Sequence, residues 1–170
     1  LAAGGAHPAG SGNAEYFIFN GSTWTDSGNI NTARSNPNAG NGSSTSMLVI
    51  SGTDPATTVV ESWNGSSWTE IAEVNTGRYR GQAAGVSNSD TLFYSGSLTP
   101  GTAQAKTEQW DGTSWTEVGD LAQARKWPGG NGTTSAAWAM GGDTGPGSNE
   151  LATTEIWDLP DFEIKTVTTS

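Results

Sequence analysis

The phrase Glu108-Gln109-Trp110-Asp111-Gly112-Thr113-Ser114-Trp115-Thr116-Glu117 constrains this chain most, because the chain writes it again. Upstream it reads Glu61-Ser62-Trp63-Asn64-Gly65-Ser66-Ser67-Trp68-Thr69-Glu70. Earlier still, Phe19-Asn20-Gly21-Ser22-Thr23-Trp24-Thr25-Asp26 puts Phe for the first aromatic, and Glu155-Ile156-Trp157-Asp158-Leu159-Pro160-Asp161-Phe162 is a worn copy. An Asn-Gly or Asp-Gly step between aromatic, β-favouring runs predicts a hairpin, with a type I′ turn that needs positive φ at both central residues. The Trp side chains are too large for turn decoration and suit packing between sheets. Asn20, Asn41, Asn64 and Asn131 also match the glycosylation sequon, but the turn accounts for them without a sugar.

The spacing is regular. Trp24, Trp68 and Trp115 step by 44 and 47 residues, as do Arg34, Arg78 and Arg125. Phe19, Trp63, Trp110 and Trp157 keep the same period, and Gly5, Gly52, Gly96 and Gly142 close apolar runs at similar intervals. Several landmarks on one period mean a repeat architecture. Each unit predicts four strands. The first is small (82–86), where backbones crowd; the second is an unbroken apolar run (47–50, 92–94, 136–140), implying burial on both faces. The third ends in Glu-x-Trp. The fourth carries acid, as an exposed sheet edge requires.

Small innermost, apolar in the middle and charged outermost is a propeller blade read from axis to rim. The expected fold is all-β: a β-propeller portion of four-stranded antiparallel blades. The units run 1–28 (the end of a first blade), 29–75, 76–122 and 123–170, about three complete blades and a part. Propellers have roughly four to eight blades. The sequence therefore predicts a larger chain or an oligomer, with an apolar edge at Phe17, Ile18 and Phe19 that promotes association.

Composition narrows function. Seven basic and 17 acidic residues give a net charge of −10, which repels nucleic acid and anionic membranes. No apolar run approaches the ~20 residues that span a bilayer. Cys is absent and His7 stands alone, which removes disulfides, thiolate metal sites and a copper-radical centre. Lys is scarce, at Lys106, Lys126 and Lys165 only.

Gly141-Gly142 after an apolar strand, then Glu-x-Trp, a turn, Trp-Thr-Glu-Val and an Arg ten residues beyond that Trp, resembles the kelch repeat of β-propellers. The middle units depart from it, with Ser51-Gly52 and Ser95-Gly96 in place of the double glycine. The resemblance implies the fold and leaves function open, because kelch propellers include enzymes, adaptors and adhesins. The Ser/Thr/Asn-rich wording around Trp-Asn-Gly-Ser-Ser-Trp-Thr-Glu is similar in style to kelch-like virion proteins of tailed phages such as cyanophages.

No enzyme is demanded. Arg34, Arg78 and Arg125 come one per unit, as a three-arginine carboxylate site would, but the same repeat position predicts the same structural contact. Asp143/Glu150 and Asp158/Asp161 are possible acid pairs, and 143–150 offers oxygen ligands without EF-hand spacing; solvated loops account for both. The repeated Trp24, Trp63, Trp68, Trp110, Trp115 and Trp157 are expected in the core. No cofactor or metal is expected.

The length variation falls between strands two and three, and the repeat is least faithful where Asn36, Arg80 and Trp127 share one position. Varying loops on a fixed frame carry binding. Candidate contact residues are Asp54, Arg80, Thr99, Pro100, Trp127, Asp143 and Asn149. The reading is a non-enzymatic structural or binding module on a virion or cell surface, extracellular, meeting other virion or surface proteins or a glycan or protein receptor. The alternatives are part of a secreted carbohydrate-active enzyme, or a bacterial adhesin.

Overall fold

The structure, a computed structural model, describes residues 1–5, 12–52, 56–98, 102–146, 149–158 and 163–167. Among them every regular element is a strand, and the strands form four antiparallel sheets in chain order. Sheet one holds β1 (Ala2–Ala3), β2 (Asn13–Phe19) and β3 (Trp24–Arg34). Sheet two holds β4 (Asn38–Ser43), β5 (Ser46–Ile50), β6 (Val60–Trp63) and β7 (Trp68–Ile71). Sheet three is β8 (Gln82–Ser87), β9 (Asp90–Tyr94), β10 (Thr107–Trp110) and β11 (Trp115–Glu117); sheet four is β12 (Gly129–Gly132), β13 (Ala136–Met140), β14 (Thr154–Asp158) and β15 (Glu163–Val167). Each strand pairs with the next in sequence, so every sheet is an up-and-down meander.

Sheets meet face to face through three apolar clusters, because each strand sends alternate side chains to opposite faces. Tyr16 and Ile30 of sheet one pack with Met47, Val49, Trp63 and Trp68 of sheet two. Leu48, Ile50 and Val60 on the other face of sheet two meet Phe93, Trp110 and Trp115. Leu92 and Tyr94 then meet Ala137, Ala139 and Trp157. The first strands β4, β8 and β12 lie side by side. Side chains reach from one unit to the next: Asn38 Nδ2 donates to Arg78 O, in the connector before β8, at 2.7 Å, and Gln82 Nε2 of β8 to Gly130 O of β12 at 2.6 Å. Gly130 is small for a reason, since a Cβ there would stand 2.3 Å from Tyr94 Oη and 2.7 Å from Trp138 O.

Three expectations need correction. The hairpin turn is not type I′, because only its glycine (Gly21, Gly65, Gly112) has positive φ. It is a four-residue loop in which Asn64 Oδ1 accepts from Ser66 N and Ser67 N, and Asp111 Oδ1 accepts from Thr113 N and Ser114 N. The Asx side chain substitutes for a backbone partner. Second, Trp63, Trp68, Trp110, Trp115 and Trp157 are buried but Trp24 is 57 % exposed, since no described sheet covers the outer face of sheet one. Ile18, expected on that bare edge, instead packs against the cluster beneath sheet two. Third, β5 and β9 are buried on both faces, but β13 alternates, leaving Trp138 and Met140 exposed.

Candidate functional site

The connectors between sheets are fixed first. Arg34, Arg78 and Arg125 are fully buried, each paired to the glutamate of the third strand in the sheet that follows. Arg34 Nη2 lies 2.5 Å from Glu61 Oε1, Arg78 Nη1 lies 2.7 Å from Glu108 Oε1, and Arg125 pairs with Glu155. Remaining guanidinium donors go to main-chain carbonyls such as Val59 O and Ser51 O for Arg34, and Ser95 O and Phe93 O for Arg78. Each carboxylate also accepts two connector amides: Asn31 and Thr32 on Glu61, Asn75 and Thr76 on Glu108, Ala122 and Gln123 on Glu155. Burial pushes the Arg34 and Arg78 guanidinium groups below their ordinary value, and the paired carboxylates oppose it. These arginines are consumed in structure, so they form no open carboxylate-binding triad.

The clamp sets the strand-ending glycine against the connector. Gly5 N donates to Arg34 O, Gly52 N to Arg78 O and Gly96 N to Arg125 O, at 3.1, 3.1 and 2.9 Å. The residue before the glycine lies at positive φ throughout: Gly4 +69°, Ser51 +52°, Ser95 +62° and Gly141 +61°. That explains the double glycine and makes the two serines strained replacements. Ser51 is compensated: its Oγ accepts from Arg78 N at 2.7 Å and donates to Thr57 O at 2.5 Å.

Two residues beyond each arginine the chain again turns to positive φ, at Asn36 (46°), Arg80 (62°) and Trp127 (52°). Only here does the repeat place two large side chains in the left-handed region, and the structure brings them together. Trp127 N donates to Arg80 O at 2.7 Å, and the Arg80 guanidinium sits 4.2 Å from the centroid of the Trp127 ring. It also lies 4.8 Å from the Tyr79 ring. Trp127 remains 53 % exposed. Arg80 Nε and Tyr79 Oη are buried with no hydrogen-bond partner among the described residues.

Lys126, which the sequence reading passed over, completes the cluster. Its Nζ stands 5.4 Å from the Trp127 centroid, donates to Gly145 O at 2.9 Å and lies 3.9 Å from Asp143 Oδ2. The signal was present in the sequence, because Arg125-Lys126-Trp127 is a basic run in an acidic chain with three lysines. Asp143 meanwhile accepts Gly145 N at 2.8 Å and pairs its main chain with Lys126, so the 143–146 turn folds onto the lysine. Asn149 is exposed and closes that loop through Thr144 N. Asp54, Thr99 and Pro100 lie outside the described residues, as do His7 and Asp161.

Single bridges Tyr79↔Ser97, Gln104↔Arg125 and Lys126↔Asp143 tie the connectors to the loops between strands two and three. The varying loops and the unfaithful repeat position therefore share one end of the sheets. Elsewhere the interior offers little room: a cavity of about 20 Å³ between sheets three and four, lined by Leu92, Tyr94, Ala137 and Trp157, holds at most a water. Among the six cations whose side chains are described, three are in buried pairs and Lys106 bonds Glu117 at 2.5 Å. Of the other two beside the exposed ring, Lys126 is buried and held by Gly145 O and Asp143, and Arg80 makes no ion pair among the described residues.

No protein-family model matches the chain, and no curated protein matches it. Solved structures do. One, described as the structure of YjhT, superposes with a TM-score of 0.74 at 17 % sequence identity, over 92 % of this chain and 53 % of that chain. The likeness is one of fold, and this chain spans about half the length of that neighbour.

Proposed function

We propose that this chain is a portion of a kelch-type β-propeller acting as a non-enzymatic binding module on a virion or cell surface, and that the Arg80–Trp127–Lys126 face binds an acidic glycan. The observation that carries the reading is the placement of Arg80, which makes no ion pair among the described residues, and of Lys126, held by Gly145 O and Asp143, around one half-exposed indole. The face of an indole takes the apolar face of a pyranose ring, as aromatic rings serve mixed apolar and polar contacts. A guanidinium held over a ring keeps its N–H donors in a fixed fork for a carboxylate or sulfate. The surrounding charge of −10 would reject such an anion anywhere else on the surface. Repeated Trp-Asn-Gly-Ser-Ser-Trp wording and sheets stacked in chain order support the propeller and virion parts of the reading.

Saturation-transfer NMR with a hexuronate oligosaccharide and its uncharged counterpart tests it. The acidic sugar should bind at least about tenfold more tightly than the neutral one. Arg80→Gln or Trp127→Gly should remove the difference. Equal binding of both sugars, or undiminished binding by the double variant, would overturn the assignment.

A further inference from the structure

One arginine of this chain is placed by rings instead of a clamp. The Nε of each clamp arginine is spent on a carbonyl: Arg34 on Thr32 O at 3.2 Å, Arg78 on Ser95 O at 2.9 Å and Arg125 on Gln123 O at 3.4 Å. Arg80 Nε is buried with no partner among the described residues. Its guanidinium instead meets two rings, with centroids at 4.2 Å for Trp127 and 4.8 Å for Tyr79. The two rings differ in kind. Trp127 is half exposed, whereas Tyr79 is 3 % exposed.

Tyr79 is the fixed member of the group. Its main chain exchanges two hydrogen bonds with Ser97: Tyr79 N donates to Ser97 O at 3.1 Å, and Ser97 N to Tyr79 O at 2.8 Å. Ser97 follows β9, so the ring is anchored to the end of sheet three, while Trp127 belongs to the connector that leads into β12. The frame itself requires no ring at this position. The residue after each clamp arginine is Ser35, Tyr79 or Lys126, all three buried, and only Tyr79 is aromatic. The hydroxyl adds nothing to the frame either, because Tyr79 Oη is buried with no partner among the described residues, which on stability alone is a cost. What the ring supplies is a flat support for a delocalised, weakly hydrated cation. A guanidinium supported in this way loses less freedom when an anion arrives, so its donors act as a preformed fork.

We propose that Tyr79 is the positioning residue of the sugar site: its buried ring fixes the Arg80 guanidinium beside Trp127, and the preference for an acidic over a neutral sugar depends on that support. The proposal rests on the acidic-glycan reading and deepens it. Lys126 is already held by Gly145 O and Asp143, so discrimination by charge falls chiefly to Arg80.

Two measurements test it. NMR relaxation of the arginine Nε–H groups in the free wild-type protein needs neither ligand nor substitution. Arg80 should be as ordered as Arg34, Arg78 and Arg125, with an order parameter above the roughly 0.6 that marks flexible groups. A flexible Arg80 would overturn the proposal by itself. Titrations with the hexuronate oligosaccharide and its uncharged counterpart then compare Tyr79→Phe with Tyr79→Leu. Tyr79→Phe keeps the ring and loses only an unpartnered hydroxyl, so it should melt no lower than the wild type and keep the full preference. Tyr79→Leu should lose at least about threefold of the preference, through weaker binding of the acidic sugar alone. Unchanged binding of the neutral sugar reports that the surrounding fold still stands in that variant. A preference that survives Tyr79→Leu, equal weakening of both sugars, or a preference lost in Tyr79→Phe would overturn the role of Tyr79 and leave the sugar reading in place. A wild type that binds both sugars equally would remove the sugar reading and this proposal with it.

Discussion

Strands β9 and β13 hold the same place in sheets three and four, yet their surroundings differ completely. In β9, Thr91, Leu92, Phe93 and Tyr94 are all buried, because sheet two lies on one side and sheet four on the other. In β13 only Ala137 and Ala139 are buried, against sheet three, while Trp138 and Met140 look outward. The strands obey the same pairing, each antiparallel to both neighbours. What separates them is the number of covered faces. Burial in this molecule is thus a property of the stack, and interior joints carry the stability that end faces lack.

The largest way to break the comparison is to unpair an interior clamp. Glu108→Ala leaves Arg78 buried without its carboxylate and strips two amides of their acceptor. Loss of one partner from such a pair costs about 3–5 kcal/mol, readable in urea melts. Replacing both together, Arg78→Met with Glu108→Leu, removes the unpaired charge but leaves the connector amides and the Ser95 and Phe93 carbonyls without partners, so it should recover only part of that loss. A cost below about 1 kcal/mol for the single variant would mean that the clamps do not hold the joints.

A smaller effect is expected at Trp127, where the stack does not decide the residue. Trp127→Gly relieves a left-handed backbone (φ 52°) worth about 1–2 kcal/mol and gives up ring contacts with Arg80 and Lys126 worth about 0.5–1 kcal/mol each. Stability should stay within about 1 kcal/mol of wild type while sugar binding is lost. Destabilisation as large as that of a core Trp would place this residue in the frame instead.

The smallest effect sharpens the turn chemistry. Amides of Ser114 and Thr113 hold the Asp111 carboxyl below its ordinary value. A depressed carboxyl contributes stability above its unfolded value, and that contribution fades as pH falls through the folded one. Asp111→Asn keeps the acceptor, as Asn64 does in sheet two, and should flatten this part of the acid limb with neutral-pH stability unchanged. An unaltered acid limb would show that the turn does not titrate.

Much of this was legible in the sequence, because the repeat writes each element several times. The Glu-x-Trp strands, the small first strands and the loop end that gathers Arg80, Trp127 and Asp143 follow from period and alternation. The turn was misread because Asn-Gly satisfies both a two-residue turn and a four-residue loop, and only the Asx hydrogen bonds separate them. Trp24 was misread because periodicity assigns equal burial to equivalent positions, whereas the outer face of sheet one has no described neighbour. Lys126 was missed because its role depends on Gly145 O and Asp143, which come near only when connector and loop pair.

Trp24 and Trp68 provide the most direct measurement, being one residue of the repeat at an end face and at an interior joint. Trp68 is 9 % exposed between Tyr16 and Trp63, and its Nε1 has no hydrogen-bond partner among the described residues, so its removal reports packing. Fluorescence-detected urea melts of Trp68→Ala and Trp24→Ala compare them. The expected result is a loss of about 3–5 kcal/mol for Trp68→Ala and a change within about 0.5 kcal/mol for Trp24→Ala. Equal losses would contradict the claim that position in the stack, and not the repeat alone, sets what each residue contributes.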